Sequence, residues 1–242
     1  MAARRILALF SSMVTIAIAA APPSAVAAQD VECSGVLTGV TARNVNVPRG
    51  GACILRSSTV AGRVFAPAAS YFQATTTRIA GDVVGADAQT LFLDVGSSVR
   101  GSVRANRVAQ VFVFGSRVRR NLRIDRATDQ IYVCDSTIER GSVRVTWSSR
   151  DIVIGDPRSG ECDGNTVRRG NMSVLWNTTD VQLVVSGNRF PRGNLIVAGN
   201  TGPSEKTVKD NFGGRHIACQ QNAGRFRAFN NRRWKSGSCR RR

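Results

Sequence analysis

The 242-residue sequence has little of what metal sites and nucleotide sites are built from. It contains one histidine, and its six cysteines include no Cys-x-x-Cys pair, so the ligand spacing of a structural zinc site is missing. It also has no glycine-rich phosphate loop and no serine in a nucleophile elbow. We therefore predict no metal and no cofactor.

Long apolar runs are missing beyond the N-terminus. Arg4 and Arg5 precede an uncharged, mostly apolar stretch at 6–21, and small residues at 25–28 offer cleavage sites, as in a secretory signal peptide. No later stretch reaches the roughly 18 apolar residues that a transmembrane helix needs. We predict that residues 1–28 are a signal peptide and that the rest of the chain is secreted, either extracellular or associated with the cell envelope.

Acidic residues are scarce relative to basic ones. The chain has 34 lysines and arginines against 16 acids, for a formal net charge of +18, and only Lys206, Lys209 and Lys235 are lysine. Removal of residues 1–28 takes away Arg4, Arg5 and no acid, which lowers the charge from +18 to +16. A charge of this size acts on the choice of partner and on the rate of association rather than on the fold.

A repeat of about 20 residues organises the chain, and short segments within it alternate apolar and polar residues as half-buried strands do. The first apolar residue of each unit is Val40, Val60, Ile79, Val99, Val118, Ile138, Val167 or Phe190. A second follows at Val45, Val64, Val83, Val103, Leu122, Val143, Met172 or Leu195. A third pair is Phe72/Ala74, Leu91/Leu93, Val111/Val113, Ile131/Val133, Ile152/Ile154 or Val181/Leu183.

Short strands at this period, with no apolar stripe of helix length, predict an all-β fold: a single-stranded right-handed parallel β-helix of about 8–9 rungs. The long interval before Val167 contains a loop at 156–161, which we expect to bulge from one rung. Gly-Asn pairs at 164–165, 187–188 and 199–200 predict turns, with asparagine amides stacked from rung to rung. An alternative is a square solenoid of five-residue steps, supported by Val103, Val108, Val113 and Val118.

The six cysteines test this rung assignment. Cys33 and Cys53 each precede a first apolar residue by seven, and Cys219 and Cys239 are 20 residues apart. Cys134 and Cys162 share a column once the loop is allowed for. Neighbouring strands lie about 4.8 Å apart, within the Cα separation of a disulfide. We predict the pairs Cys33–Cys53, Cys134–Cys162 and Cys219–Cys239, two of which clamp the ends of the solenoid.

The mature chain is predicted to have two parts. Residues 29–224 form the β-helix domain, and residues 225–242 form a basic C-terminal cap or tail in which arginines alternate with aromatic residues. Such interleaving suits stacking on sugars or bases beside anion contacts, and it also suits aromatic residues that cap the open end of the core. Both interpretations apply to this segment, whose candidate binding residues are Arg227, Arg232, Arg233 and Trp234.

The chain resembles exported bacterial β-helix proteins of unknown function. The resemblance is carried by the run from Cys33 to Val40, the Val47-Pro48 pair, the Gly-Asn units at 170–171 and 193–194 and the terminal Gly237-Ser238-Cys239. The resemblance covers nearly the whole mature chain and is to a style of repeat. It implies a right-handed, pectate-lyase-like solenoid and implies no activity.

Catalysis by an enzyme of this fold needs carboxylates in a group, but the acidic residues here are scattered singly along the chain. The motifs that resemble those of polygalacturonases are incomplete, because Asn177-Thr178-Thr179-Asp180 is one residue too long and His216 follows an arginine. Asp135 with Asp156 is the best pair for glycoside hydrolysis. The best candidate group for binding calcium is Asp156, Glu161 and Asp163. The simpler interpretation is that these residues lie in a solvated loop. We expect His216 to point outward without a catalytic role.

The arginines fall in two columns when the rungs are aligned. One column holds Arg104, Arg123 and Arg144, and the other holds Arg140, Arg169 and Arg192. Guanidinium groups at this spacing suit an anionic polymer. The sequence therefore predicts a non-catalytic, monomeric solenoid that binds acidic polysaccharide or another polyanion, and nucleic acid without sequence readout. The alternatives are a lyase or hydrolase of acidic glycans and a self-assembling envelope fibre.

Overall fold

The computed structural model describes residues 28–155 and 163–239. Apart from residue 28, the predicted signal peptide lies outside the described residues. Within them the protein is all β, with no helix, and all strand pairs are parallel. The strands form three long sheets, A, B and C, of 11, 10 and 7 strands. The chain visits the three sheets in turn, and each circuit makes one coil of a β-solenoid.

The strands of sheet A are Val31–Glu32, Val45–Asn46, Val64–Ala66, Val83–Ala86, Val103–Asn106, Leu122–Asp125, Val143–Thr146, Met172–Leu175, Leu195–Ala198, His216–Gln220 and Ser236–Gly237. The strands of sheet B are Gly35–Thr38, Ala52–Arg56, Tyr71–Thr75, Thr90–Leu93, Gln110–Phe114, Gln130–Cys134, Ser149–Ile154, Thr178–Ser186, Glu205–Lys209 and Phe226–Phe229. The strands of sheet C are Thr41–Ala42, Thr59–Val60, Arg78–Ile79, Ser98–Val99, Arg117–Val118, Thr137–Ile138 and Thr166–Val167.

About ten coils are present, against the 8–9 rungs predicted. The additional coils include the last ones, whose interior positions depart from the aliphatic pattern. Lys206 occupies the interior column that holds Leu183 one coil earlier, and Phe226 follows it one coil later. Residues 226–229 and 236–237 extend sheets B and A, so the segment predicted as a cap or tail contributes the last coil.

The interior is filled by columns of aliphatic side chains whose register the repeat predicted. The second apolar residues pair from strand to strand along sheet A, as in Val83 with Val103 and Leu122 with Val143, and all are fully buried. The pairs from Phe72/Ala74 to Ile152/Ile154 do the same along sheet B. Three sheets per coil, rather than four short sides, exclude the square solenoid.

Two predicted positions are wrong, each because of a local irregularity. Val40 is not in the sheet C column, because Ala42 pairs with Val60 there. Val181 is 53% exposed. The strand Thr178–Ser186 carries extra residues at a bulge, so Leu183 and Val185 take the interior positions opposite Ile152 and Ile154. A bulge shifts side chains between the two faces of a strand.

Two predicted disulfides are confirmed at the two ends of the solenoid. The Cα atoms of Cys33 and Cys53 are 5.4 Å apart, and those of Cys219 and Cys239 are 5.5 Å apart. Each bond joins adjacent coils. Cys162 lies outside the described residues, and its pairing with Cys134 stays a prediction.

The predicted asparagine stacks are confirmed inside two corners of the solenoid. At the corner between sheets B and C, the amides of Asn165, Asn188, Asn211 and Asn231 donate from one to the next at 3.0 Å. At the corner between sheets A and B, a second stack joins Asn177, Asn200 and Asn222 at 2.9 and 2.8 Å. These amides satisfy backbone groups that the turning chain would leave buried without partners.

Candidate functional site

The predicted column of Arg104, Arg123 and Arg144 lies on the outer face of sheet A. The three residues are direct register partners on adjacent strands, and all three are exposed. They alternate with buried residues such as Val103, which anchor the strands and turn the arginines outward. Arg104 forms an ion pair with Asp82 at 3.6 Å. Among the described residues, Arg123 and Arg144 have no carboxylate partner.

The second predicted column, Arg140, Arg169 and Arg192, lies at the corner between sheets C and A. A glycine follows each arginine, and the backbones of Gly141, Gly170 and Gly193 approach so closely that a Cβ would collide with the carbonyl of the coil below. The close stacking keeps the three exposed arginines in line. A shallow depression of about 410 Å³ at this corner is lined by Arg169, Asn171, Arg192, Asn194 and Arg215.

A third set of arginines, which the sequence analysis missed, lies on the outer face of sheet C. It lines a groove of about 540 Å³ that joins the corner at Arg140. Glu139 is the acidic residue of this groove, and it pairs with Arg117 at 3.5 Å. The signal was an arginine next to the apolar residue of a short strand, at Ile79, Val99 and Val118. The missed arginines are Arg78, Arg100, Arg117 and Arg119, and they line the groove together with Arg140 of the second predicted column.

The C-terminal residues divide between surface and core. Arg227, Arg232 and Arg233 are exposed, Arg227 pairs with Glu205 at 3.6 Å, and Arg233 lies 4.9 Å from the centre of the Phe212 ring. Trp234 is only 3% exposed.

The placement of Trp234 corrects its assignment as a binding residue. Its ring packs 5.3 Å from that of Phe190, and its Nε1 donates to the carbonyl of Asn211 at 3.3 Å. The indole therefore caps the end of the core and is not available to stack on a partner.

Sheet B presents a different outer face, on which arginines give way to aromatic rings. Phe92, Phe112 and Tyr132 stand one above another, with ring centres 5.6 and 5.8 Å apart. The Tyr132 hydroxyl donates to a carboxylate oxygen of Asp151. Burial, together with this contact, raises the pKa of the phenol. The other carboxylate oxygen of Asp151 is buried and has no partner among the described residues.

The candidate catalytic acids are not brought together in the described part of the chain. Asp135 lies exposed at the corner between sheets B and C, while Asp156 and Glu161 lie outside the described residues. In the described segments, no three His, Cys, Asp or Glu side chains are grouped as metal ligands. The Nδ1 atom of His216 lies 3.0 Å from the Ser236 hydroxyl, with which it shares a hydrogen bond.

Lys206 is a buried cation at the C-terminal end of the core. Its side chain is fully buried, and Nζ donates to the carbonyls of Gly202 and Ser204 at 2.8 and 3.0 Å. Burial lowers the pKa of its ammonium group from the usual 10.5. No carboxylate among the described residues pairs with it.

Comparison of the chain with protein-family models, with curated proteins and with solved structures yields no match. Over residues 28–155 and 163–239, no helix is long and apolar enough to cross a membrane.

Proposed function

We propose that the protein binds extended polyanions, without catalysis, through a continuous arginine surface. The surface covers the outer face of sheet A, the corner between sheets C and A, and the groove on sheet C. The observation that carries the proposal is the direct register of Arg104, Arg123 and Arg144 on three adjacent strands.

The electrostatics of this column favour an anionic partner. Strands about 4.8 Å apart bring like charges to a distance at which they repel by about 0.9 kcal/mol in bulk water, before the long side chains splay apart. Each guanidinium offers a planar fork of donors that matches carboxylate, phosphate or sulfate. A polymer with anions at regular intervals replaces the repulsion with bridging contacts along several coils.

The continuity of the surface favours a polymer over a small anion. The groove on sheet C spans the coils from Thr59 to Arg140, and the corner depression continues it to Arg215. With about 4.8 Å per coil, these sites extend over roughly 30 Å. A linear polyanion, secreted with the protein or displayed at the cell envelope, has the length and charge to follow this surface.

The test is a salt series with two triple variants of equal charge. Purified protein is titrated with polygalacturonate and with polyphosphate, and the logarithm of Kd is expected to rise linearly with the logarithm of salt concentration. Changing Arg104, Arg123 and Arg144 to alanine is expected to weaken binding and flatten the slope. The control changes Arg43, Arg107 and Arg150, which pair with Asp30, Asp87 and Asp129.

The control separates a local site from net charge, because both variants lose three positive charges. Equal binding by wild type and the ladder variant contradicts the proposal, and so does an equal loss in both variants.

A further inference from the structure

Two tryptophans form an exposed pair beside the arginine column of sheet A. Trp147 is 57% exposed and Trp176 is 43% exposed, whereas the third tryptophan of the chain, Trp234, is buried. The two exposed rings stack on each other, with centres 5.2 Å apart and planes 23° apart. Two adjacent exposed indoles form a candidate contact surface.

The backbone at this corner presents the pair at some cost in strain. Trp147 and Trp176 both have φ of 56°, in the left-handed region that residues other than glycine and asparagine rarely occupy. In the next coil the position belongs to Gly199. A Cβ there would lie 2.5 Å from Cδ1 of Trp176, so the absence of a side chain makes room for the indole.

This stacking leaves one indole face open. Trp176 is covered by Trp147 on one side and by Gly199 on the other. The remaining face of Trp147 is directed toward the preceding coil, where Arg126 holds the equivalent corner position. Neither a second ring nor a guanidinium of the described residues contacts that face.

Two exposed arginines lie near this corner. Arg126 lies one coil before Trp147 at the same corner, and it has no carboxylate partner among the described residues. Arg144 precedes Trp147 by three residues in the same coil, a distance of about 10 Å along a strand. A ring stacked on Trp147 therefore has two exposed cationic side chains nearby.

We propose that this corner is a subsite for a sugar-acid residue of an acidic polysaccharide. The C–H face of a pyranose ring stacks on the free face of Trp147, whose π cloud is electronegative, and carboxylates of that residue or its neighbours bind Arg126 and Arg144. The inference rests on the proposed function and names the polymer class. Single-stranded nucleic acid fits less well, because its successive bases use several separate aromatic platforms, and the Trp147–Trp176 pair leaves one face open.

The test follows tryptophan fluorescence and affinity with three polymers. Polygalacturonate carries uronate rings, polyphosphate carries anions without rings, and oligothymidylate carries bases on a phosphate backbone. Polygalacturonate is expected to change the emission of the exposed pair. Trp147→Ala is expected to weaken polygalacturonate binding about 10-fold and to leave polyphosphate binding unchanged, while Trp147→Phe restores most of the affinity.

Phe229→Ala is the matched control, because it removes an exposed aromatic side chain from sheet B and should leave all three affinities unchanged. Unfolding midpoints of each variant establish that the solenoid is intact.

Each outcome identifies which proposal fails. If Trp147→Ala binds polygalacturonate as wild type does while the arginine ladder variant loses it, the subsite is overturned and the proposed function stands. If Trp147→Ala weakens polygalacturonate and oligothymidylate equally, the corner recognises rings in general and the polysaccharide assignment is overturned. If wild type binds none of the three polymers, the proposed function fails and the subsite fails with it.

Discussion

The side-chain amide of Asn188 donates a hydrogen bond of 3.0 Å to Oδ1 of Asn211 inside the solenoid. Asn188 also donates to the carbonyl of Ile154 at 2.8 Å, and its Oδ1 accepts from the backbone and side-chain nitrogens of Asn165. One side chain thus connects coils on both sides of its own. The stack is a set of buried polar groups that satisfy one another.

Asn188→Ala is expected to lower the free energy of unfolding by about 3 kcal/mol, because it leaves several buried donors and acceptors without partners. Denaturant unfolding followed by circular dichroism measures the loss. Asn106→Ala is the control, since the side chain of Asn106 makes no hydrogen bond among the described residues and is half-buried at the end of a central strand of sheet A. Equal stability of the two variants would show that the stack contributes nothing.

Gly170→Ala is expected to destabilise the protein by at least about 2 kcal/mol, because the new Cβ meets the carbonyl oxygen of Gly141 in the adjacent coil. Gly39→Ala separates this steric effect from backbone strain. Gly39 has φ of 67° and open space around its Cβ position, so it should cost only about 1 kcal/mol. Thermal unfolding of both variants checks the order, and a smaller effect at Gly170 contradicts it.

Breaking the Cys219–Cys239 bond is expected to destabilise the last coil by about 2–4 kcal/mol, because the bond ties the terminal strands to the coil before them. The double change to serine is compared with wild type by hydrogen exchange of residues 226–237. An increase in exchange over wild type that is larger in these residues than in the central coils supports a clamp on the terminal coil. An equal increase along the chain would instead assign the bond no local role.

Stability is expected to rise with pH, as the pH approaches 10.5, because of Lys206. Burial lowers the pKa of its ammonium group below 10.5, so the folded protein binds fewer protons than the unfolded chain between the lowered pKa and 10.5. Stability therefore increases with pH across that window. In Lys206→Met this contribution is absent, and a denaturation series over alkaline pH compares the slopes. An unchanged slope in the variant contradicts the assignment.

The groove on sheet C is expected to act with the column on sheet A. Changing Arg78, Arg100 and Arg119 to alanine should weaken polyanion binding, and combining this change with the ladder variant should weaken it further. Among the described residues these three arginines have no carboxylate partner, whereas Arg117 pairs with Glu139. Binding isotherms at one salt concentration measure both effects. A groove variant that binds as wild type does would restrict the site to sheet A.

The central rungs were predictable from sequence because a solenoid repeats one local environment. Val103, Leu122 and Val143 recur at nearly constant intervals, and the alternation of apolar and polar residues defines which side of each strand is buried. The same alignment placed Arg104, Arg123 and Arg144 in one column.

The terminal cysteines were predictable for a related reason. Their spacing equals one coil, so strand separation alone brings them to bonding distance.

Irregular positions were not predictable, because they depend on how one coil fits against the next. A bulge turned Val181 outward, although its local pattern matches an interior residue. The sheet C arginines were missed because two-residue strands show too little alternation to reveal which neighbours face outward.

The coil, its period and the pairing of its terminal cysteines follow from spacing along the chain, and the net charge follows from composition. The exposure of the three tryptophans depends instead on three-dimensional packing. Trp234 closes the end of the core against Phe190, while Trp147 and Trp176 turn outward at a left-handed corner. The reason is geometric, because the exposure of a corner or terminal residue depends on the neighbouring coil and not on its own sequence.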